Sequence, residues 1–166
     1  MNHGLSTKLR GMAAQQPDKI LFSGELLDLY TNPLEQFWLN TKKVRPPFIT
    51  SPDCVRGYVA GWEIRNNKLL LTKVEGGYLR NYIFFRKPAF YSLKKLFPRS
   101  KNRPVLASWF SGKLRIPIGN MTLYEHSGYD SRFEKEFIVT IQDGEVTKVV
   151  TIDFKEKSLV INLEFT

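Results

Sequence analysis

Apolar and polar residues along this chain alternate with a period of two far more often than with a helical period. Turn residues interrupt the alternation every ~8–12 positions, the pattern of short antiparallel strands joined by hairpins. Lys19–Phe22 and Glu25–Tyr30 flank Ser23-Gly24. Gly57–Ile64 and Lys68–Val74 flank Asn66-Asn67, residues that tolerate positive φ in a two-residue turn. Tyr78–Phe85 and Met121–Tyr124 read as further extended stretches, and Val105–Phe110 and Lys113–Ile118 flank Ser111-Gly112. Phe133–Gln142 and Glu145–Phe154 flank Asp143-Gly144, the strongest hairpin signal present. Ser158–Phe165 alternates Leu159, Ile161, Leu163 and Phe165 against polar neighbours and ends the series.

Helical spacing is confined to two short segments. Asn32-Pro33 opens one over Leu34–Leu39, with a capping Asn and Pro at the first helical position. The other is Ser92–Phe97, stopped by Pro98; Phe90, Leu93, Leu96 and Phe97 fall at i, i+3, i+6 and i+7, a face that packs onto the core. Gly76-Gly77 reads as a break, and Thr41–Asp53, with Pro46, Pro47 and Pro52, as loop. About ten short strands, two short helices and no strand–long-helix–strand alternation predict a mainly β fold, an antiparallel sandwich or a partly open barrel. Residues 18–166 are expected to form that one domain, behind a flexible leader over 1–17. Trp62 and Trp109 lie in strand patterns and read as core, whereas Trp38, near prolines, reads as partly exposed.

Cys54 is the only cysteine. It rules out an intrachain disulfide and a cysteine zinc cluster, suits a reducing compartment, and reads as a small loop or core residue. The N-terminus has no apolar segment of the export-signal kind, and no stretch approaches the ~18 apolar residues of a membrane-spanning helix. A cytoplasmic location is expected.

Charge changes the picture more than composition does. The net charge is +9, yet residues 42–115 hold 17 Lys and Arg against three acids, Asp53, Glu63 and Glu75, a net +14. The densest part contains Arg86, Lys87, Lys94, Lys95, Arg99, Lys101 and Arg103 and no acid, with Phe90, Tyr91 and Phe97 among them. Like charges in one segment repel unless solvated or paired with anions. Either the stretch pairs with the acidic ends of its own fold, or it faces an acidic partner. Cations interleaved with rings also suit single-stranded nucleic acid, where rings stack on bases and cations follow phosphates.

Signatures of catalysis are sparse. No phosphate-binding glycine loop and no His-Glu-x-x-His is present, and no acidic cluster has metal-ligand spacing. No cofactor is predicted. The one polar constellation is the loop Tyr124–Arg132. There His126 is a candidate general base, with Tyr129 or Arg132 placed to steady a charged intermediate; the bland alternative is a loop stitched by its own hydrogen bonds. Glu134-Lys135-Glu136 before a strand is similar to the Glu-x-Glu of ADP-ribosyltransferases, with Arg56 and Ser108 or Ser111 as the accompanying residues, but the Ser-Thr-Ser element is missing. Arg56, before an apolar strand, is otherwise a candidate for an edge ion pair with Glu63 or Glu134.

Three segments carry a resemblance: DKILFSGELLDLYTNPLEQF (Asp18–Phe37), RGYVAGWEIRNNKLLL (Arg56–Leu71) and SWFSGKLRIPIGNMTLYEHSGYDSRFEKE (Ser108–Glu136). Together they resemble a family of uncharacterised bacterial cytosolic proteins, over about half of the chain. The resemblance implies a bacterial, cytosolic, single-domain protein and supplies no catalytic residues. The sequence thus points first to a non-catalytic binding protein whose basic face docks on an acidic macromolecule, for example an immunity protein capping a toxin. An enzyme acting on an anionic or nucleotide substrate through His126 is the alternative, and nucleic-acid binding a further one.

Overall fold

Three tight turns set the hairpins. Ser23-Gly24, Asn66-Asn67 and Asp143-Gly144 take positive φ at both central positions (51° and 83°, 50° and 58°, 49° and 83°). Positive φ at both positions is the two-residue turn whose twist matches that of paired strands. The structure, a computed structural model, describes residues 13–164. In it the first turn joins β1 (Asp18–Phe22) to β2 (Glu25–Leu29), the second joins β3 (Tyr58–Arg65) to β4 (Lys68–Asn81), and the third joins β8 (Arg132–Gln142) to β9 (Glu145–Asp153). The remaining strands are β5 (Arg86–Tyr91), β6 (Val105–Leu106), β7 (Gly112–Leu123) and β10 (Ser158–Glu164). Helices α1 (Pro33–Asn40) and α2 (Leu93–Leu96) are the two short helices, and a 3-10 turn follows at Pro98–Ser100.

The fold is mainly β, as the alternation predicts: ten strands in one sheet that does not close, running β2-β1-β3-β4-β9-β8-β7, with β5 and β6 on β4 and β10 on β9. It is mixed rather than wholly antiparallel, because β1 lies parallel to β3 with Ile20 opposite Trp62. Parallel neighbours need a long crossover, and α1 with the proline-containing loop provides it. The link between β4 and β9 is one rung, Lys68 opposite Glu145, extended by Leu69 N–H to Gly144 O and Val146 N–H to Asn67 O, both 2.8 Å. At the far edges Tyr30 N–H donates to Arg115 O at 2.8 Å, so the sheet curls around a shared interior.

That interior is built by alternation. Tyr58, Ala60 and Trp62 of β3 and Leu69 and Leu71 of β4 point inward. Thr72 then has no partner across the ladder, a bulge that resets the inward set to Val74. Leu114 and Ile116 of β7, Val139 and Ile141 of β8, and Leu34 of α1 complete the same cluster. Trp62 is buried, Trp109 half-buried and Trp38 partly exposed.

Several local expectations change. β4 passes through Gly76-Gly77 without a break, because Gly76 supplies clearance and not a turn: a Cβ there would sit 2.6 Å from Phe48 Cδ1 and 2.9 Å from Gly57 O. Strand structure expected over Val105–Phe110 stops at Leu106, where the chain turns back, with Phe110 N–H on Ala107 O, to receive the Gly144 N–H on Phe110 O. Asn32 precedes α1 but makes no side-chain cap; its Oδ1 accepts instead from the Tyr129 hydroxyl at 2.9 Å. Phe90 lies in β5, before α2 begins, and is 77% exposed, so only Leu93, Leu96 and Phe97 form the expected apolar face. Of the expected flexible leader, residues 1–12 lie outside the described residues, as does Phe165 at the other end. Residues 13–17 are held in place: Gln15 N–H donates to Gly128 O and Gln16 N–H to Asp53 O, at 3.0 and 2.7 Å.

Candidate functional site

The cationic stretch is divided among three elements. Arg86 and Lys87 lie on β5, Lys94 and Lys95 on α2, Arg99 in the 3-10 turn, and Lys101 and Arg103 just after it. All seven side chains are exposed. Among the described residues no ion pair joins any of them to a carboxylate; the pairs are Lys19–Asp28, Arg45–Glu35, Arg56–Asp18, Arg65–Glu63, Lys73–Glu75, Arg115–Glu136 and Lys135–Asp153. The cause is partly covalent order. No acid occurs between Glu75 and Glu125, so neighbours along β5, α2 and the part of β4 beyond Glu75 have no countercharge to offer.

Aromatic rings take the place of carboxylates. The Lys95 ammonium sits 3.9 Å from the Tyr78 ring centroid and 4.8 Å from that of Tyr91, and it donates to the Tyr78 hydroxyl. Arg80 lies over Tyr82 at 5.5 Å and Lys87 over Phe85 at 5.5 Å. Such contacts attract a cation through the ring quadrupole without neutralising it. Ser92 orients α2 by accepting Lys95 N–H at its N-cap, 3.3 Å, while Phe97 stacks on Trp109 at 5.6 Å and anchors the helix end to the core. A cleft of about 650 Å³ lies beside this face, with Phe90, Tyr91, Asn102 and Cys54 in its lining.

The catalytic candidates separate into two places. Arg56 and Tyr129 meet: Arg56 Nη1 donates to the Tyr129 hydroxyl at 3.0 Å. Arg56 pairs with Asp18 at 2.8 Å, not with Glu63 or Glu134. Glu63 is taken by Arg65, and Glu134 by the Asn120 N–H. Asp18, at 0% exposure, also accepts Ala60 N–H at 2.9 Å and Trp62 Nε1–H at 3.0 Å. Burial raises the Asp18 carboxyl above its ordinary value, opposed by the Arg56 charge and those two donors. Burial likewise pushes the Tyr129 hydroxyl up to about 12, so at neutral pH it is a neutral donor and no base.

His126 stands apart. It is exposed, with its ring edge-on to Tyr124 at 4.7 Å. Arg132 lines a separate cleft of about 510 Å³ with Arg115, Asp130 and Glu136, and neither His126 nor Tyr129 lines it. Glu136 is held by Arg115 Nε at 2.9 Å, and Arg115 also reaches the Tyr129 carbonyl. The Glu-x-Glu reading therefore finds its glutamate tied to Arg115, its Arg56 tied to Asp18, and its Ser111 bonded to Asp143 at 3.1 Å. Asp18, Arg56, Tyr129, Arg115 and Glu136 form one chain of bonds that stitches β1, β3, β7, β8 and the 124–132 loop together, a structural device. Among the described residues no three His, Cys, Asp or Glu side chains cluster as a metal cage, and no helix is long and apolar enough to cross a membrane.

Sequence reasoning passed over Asp18, which it left just before the first strand, and the segment Tyr82–Phe85, read as strand. A visible signal for the second was the run of four apolar residues closed on both sides by polar and cationic ones. No protein-family model, curated protein or solved structure matches the chain.

Proposed function

We propose that the chain is a non-catalytic binding protein of the bacterial cytoplasm that docks on an acidic macromolecule through the cationic face of β5, α2 and the following turn. An immunity-type protein that caps an acidic toxin is its concrete form. The observation that carries this reading is the set of seven exposed cations with no carboxylate partner among the described residues. A face of one sign speeds encounter with an oppositely charged partner and excludes like-charged ones. The rigid rings under Lys95 hold part of that face in one geometry before any partner arrives.

The test uses polyglutamate as an acidic-protein probe and, in parallel, the protein encoded beside this chain. Lys94→Glu with Lys95→Glu is expected to weaken both by roughly tenfold or more, with the difference shrinking as salt rises. Unchanged affinity in the double variant refutes the reading. A second reading, single-stranded nucleic acid, is supported by one observation, the exposed Phe90 ring among the cations. An oligo(dT) titration checks it: a steep inverse dependence on salt and a loss on Phe90→Ala are its signature.

A further inference from the structure

Beyond Gly76 the sheet becomes a two-stranded ribbon. β3 pairs with β4 only as far as Tyr58 opposite Gly76, whereas β4 and β5 continue together through Leu79–Pro88 and Arg80–Lys87 to Asn81–Arg86. The ribbon ends in Tyr82-Ile83-Phe84-Phe85, closed by Tyr82 N–H on Phe85 O at 2.8 Å, with the Tyr82 and Phe85 rings stacked at 4.9 Å. At the apex Ile83 is 91% and Phe84 93% exposed. Two adjacent, fully solvated large apolar side chains at the tip of a projecting element are costly in water and mark a contact surface.

We infer that this tip docks on an anionic lipid bilayer, with Ile83 and Phe84 entering the headgroup–acyl boundary. The order of chemistry along the ribbon is what selects this occupant. The apex is purely apolar, the stacked rings come next, and Arg80, Arg86 and Lys87 occupy the two rungs behind them. At the strand rise the Arg80–Lys87 rung lies roughly 7–10 Å behind the apex. That spacing matches the ~5–10 Å insertion of interfacial elements, with cations left at the phosphate level. Aromatic side chains in the middle tier belong at the same interface. Nucleic acid fits the tip less well: Ile83 has no π-face for a base, and the cations follow the apolar residues instead of interleaving with them. A second copy of this chain would bring like-charged rungs together. Pro88 on β5 also removes one donor from the ribbon's outer edge, which disfavours strand addition there. This surface adds to the macromolecular docking proposed above and does not depend on it.

The experiment is flotation of the full chain with vesicles of phosphatidylcholine alone and of an equimolar mixture with phosphatidylglycerol. The chain is expected to float with the anionic vesicles and not with the neutral ones. Ile83→Ser with Phe84→Ser is expected to lower that binding by roughly tenfold or more while the thermal melt is unchanged, since both side chains are solvated. Phe84→Trp is expected to show blue-shifted emission with anionic vesicles. No binding to anionic vesicles, or equal binding by the double serine variant, overturns the inference. So does a solution dimer that the serine variant abolishes, or an oligo(dT) affinity that falls with it. Continued polyglutamate binding in any of those cases leaves the docking face standing and removes the bilayer alone.

Discussion

Arg56→Met is the most informative single change. It removes the guanidinium 2.8 Å from an Asp18 carboxylate that has no exposure to water, and with it the bond to the Tyr129 hydroxyl. Asp18 keeps two neutral donors, Ala60 N–H and Trp62 Nε1–H. Breaking one side of a buried ion pair costs about 3–5 kcal/mol. In a chain of this length that corresponds to about 6–20 °C in Tm, a large share of the ~5–15 kcal/mol that holds a domain folded. The sign of the pH dependence follows from Asp18. Its folded-state value lies above the unfolded one because burial outweighs the opposing charge. The neutral form is therefore favoured in the fold, and stability falls as pH rises from the unfolded carboxylate value up through the raised one. Loss of Arg56 raises Asp18 further, so the penalty of Arg56→Met should be smallest near pH 4 and grow toward neutrality. Urea denaturation across that range measures it. Asp18→Asn combined with Arg56→Met removes both charges but turns an amide NH2 toward either Ala60 N–H or Trp62 Nε1–H, so it should recover only part of the loss. A penalty below about 1 kcal/mol at pH 7 would refute the structural assignment of Arg56, because a surface ion pair contributes no more than that.

Two further outcomes follow from packing. Gly76→Ala places a Cβ 2.6 Å from Phe48 Cδ1 and 2.9 Å from Gly57 O; it should cost about 1–3 kcal/mol by overpacking, read as a lower denaturation midpoint. Cys54 is 7% exposed, with its thiol directed at the Tyr58 carbonyl at 3.3 Å, so a thiol reagent should label it only at the rate of local or global opening, tracked by urea-dependent labelling.

Three of the four expected hairpins were legible because their cause is local; the fourth, around Ser111-Gly112, does not form, since β6 pairs with β4 and Gly112 lies within β7. Asn66-Asn67 and Asp143-Gly144 tolerate positive φ whatever surrounds them, and the flanking alternation sets the inward faces of Tyr58, Ala60, Trp62 and Leu71. Long-range choices were not legible. The parallel pairing of β1 with β3, and the selection of Asp18 over Glu63 as the partner of Arg56, depend on a crossover that no local pattern encodes. Gly76-Gly77 carries the same letters as a turn, yet the reason for Gly76 is a ring 28 positions earlier, Phe48. Phe90 illustrates a different limit. Four apolar residues at helical spacing sample too few turns to place every one of them on the helix, and α2 starts only at Leu93, after the Ser92 cap.

The cationic face was half legible, and the missing half is geometric. Sequence alone left open whether the acidic ends of the chain fold back onto Arg86–Arg103. Among the described residues no acid pairs with that stretch, and carboxylates of β1, β8 and β9 are used where they stand: Asp18 on Arg56, Glu136 on Arg115, Asp153 on Lys135. Each of those pairs fastens one part of the sheet to another, so none can move to the ribbon without unpicking the fold. With no acid available between Glu75 and Glu125, the ribbon and α2 keep their charge. Mutual repulsion among exposed cations and the solvated apolar side chains of Ile83 and Phe84 both raise the free energy of the isolated molecule. A partner that supplies anions relieves the first cost, and one that also offers an apolar layer relieves both. On the bilayer proposal, the ribbon tip and the cations behind it would therefore act together.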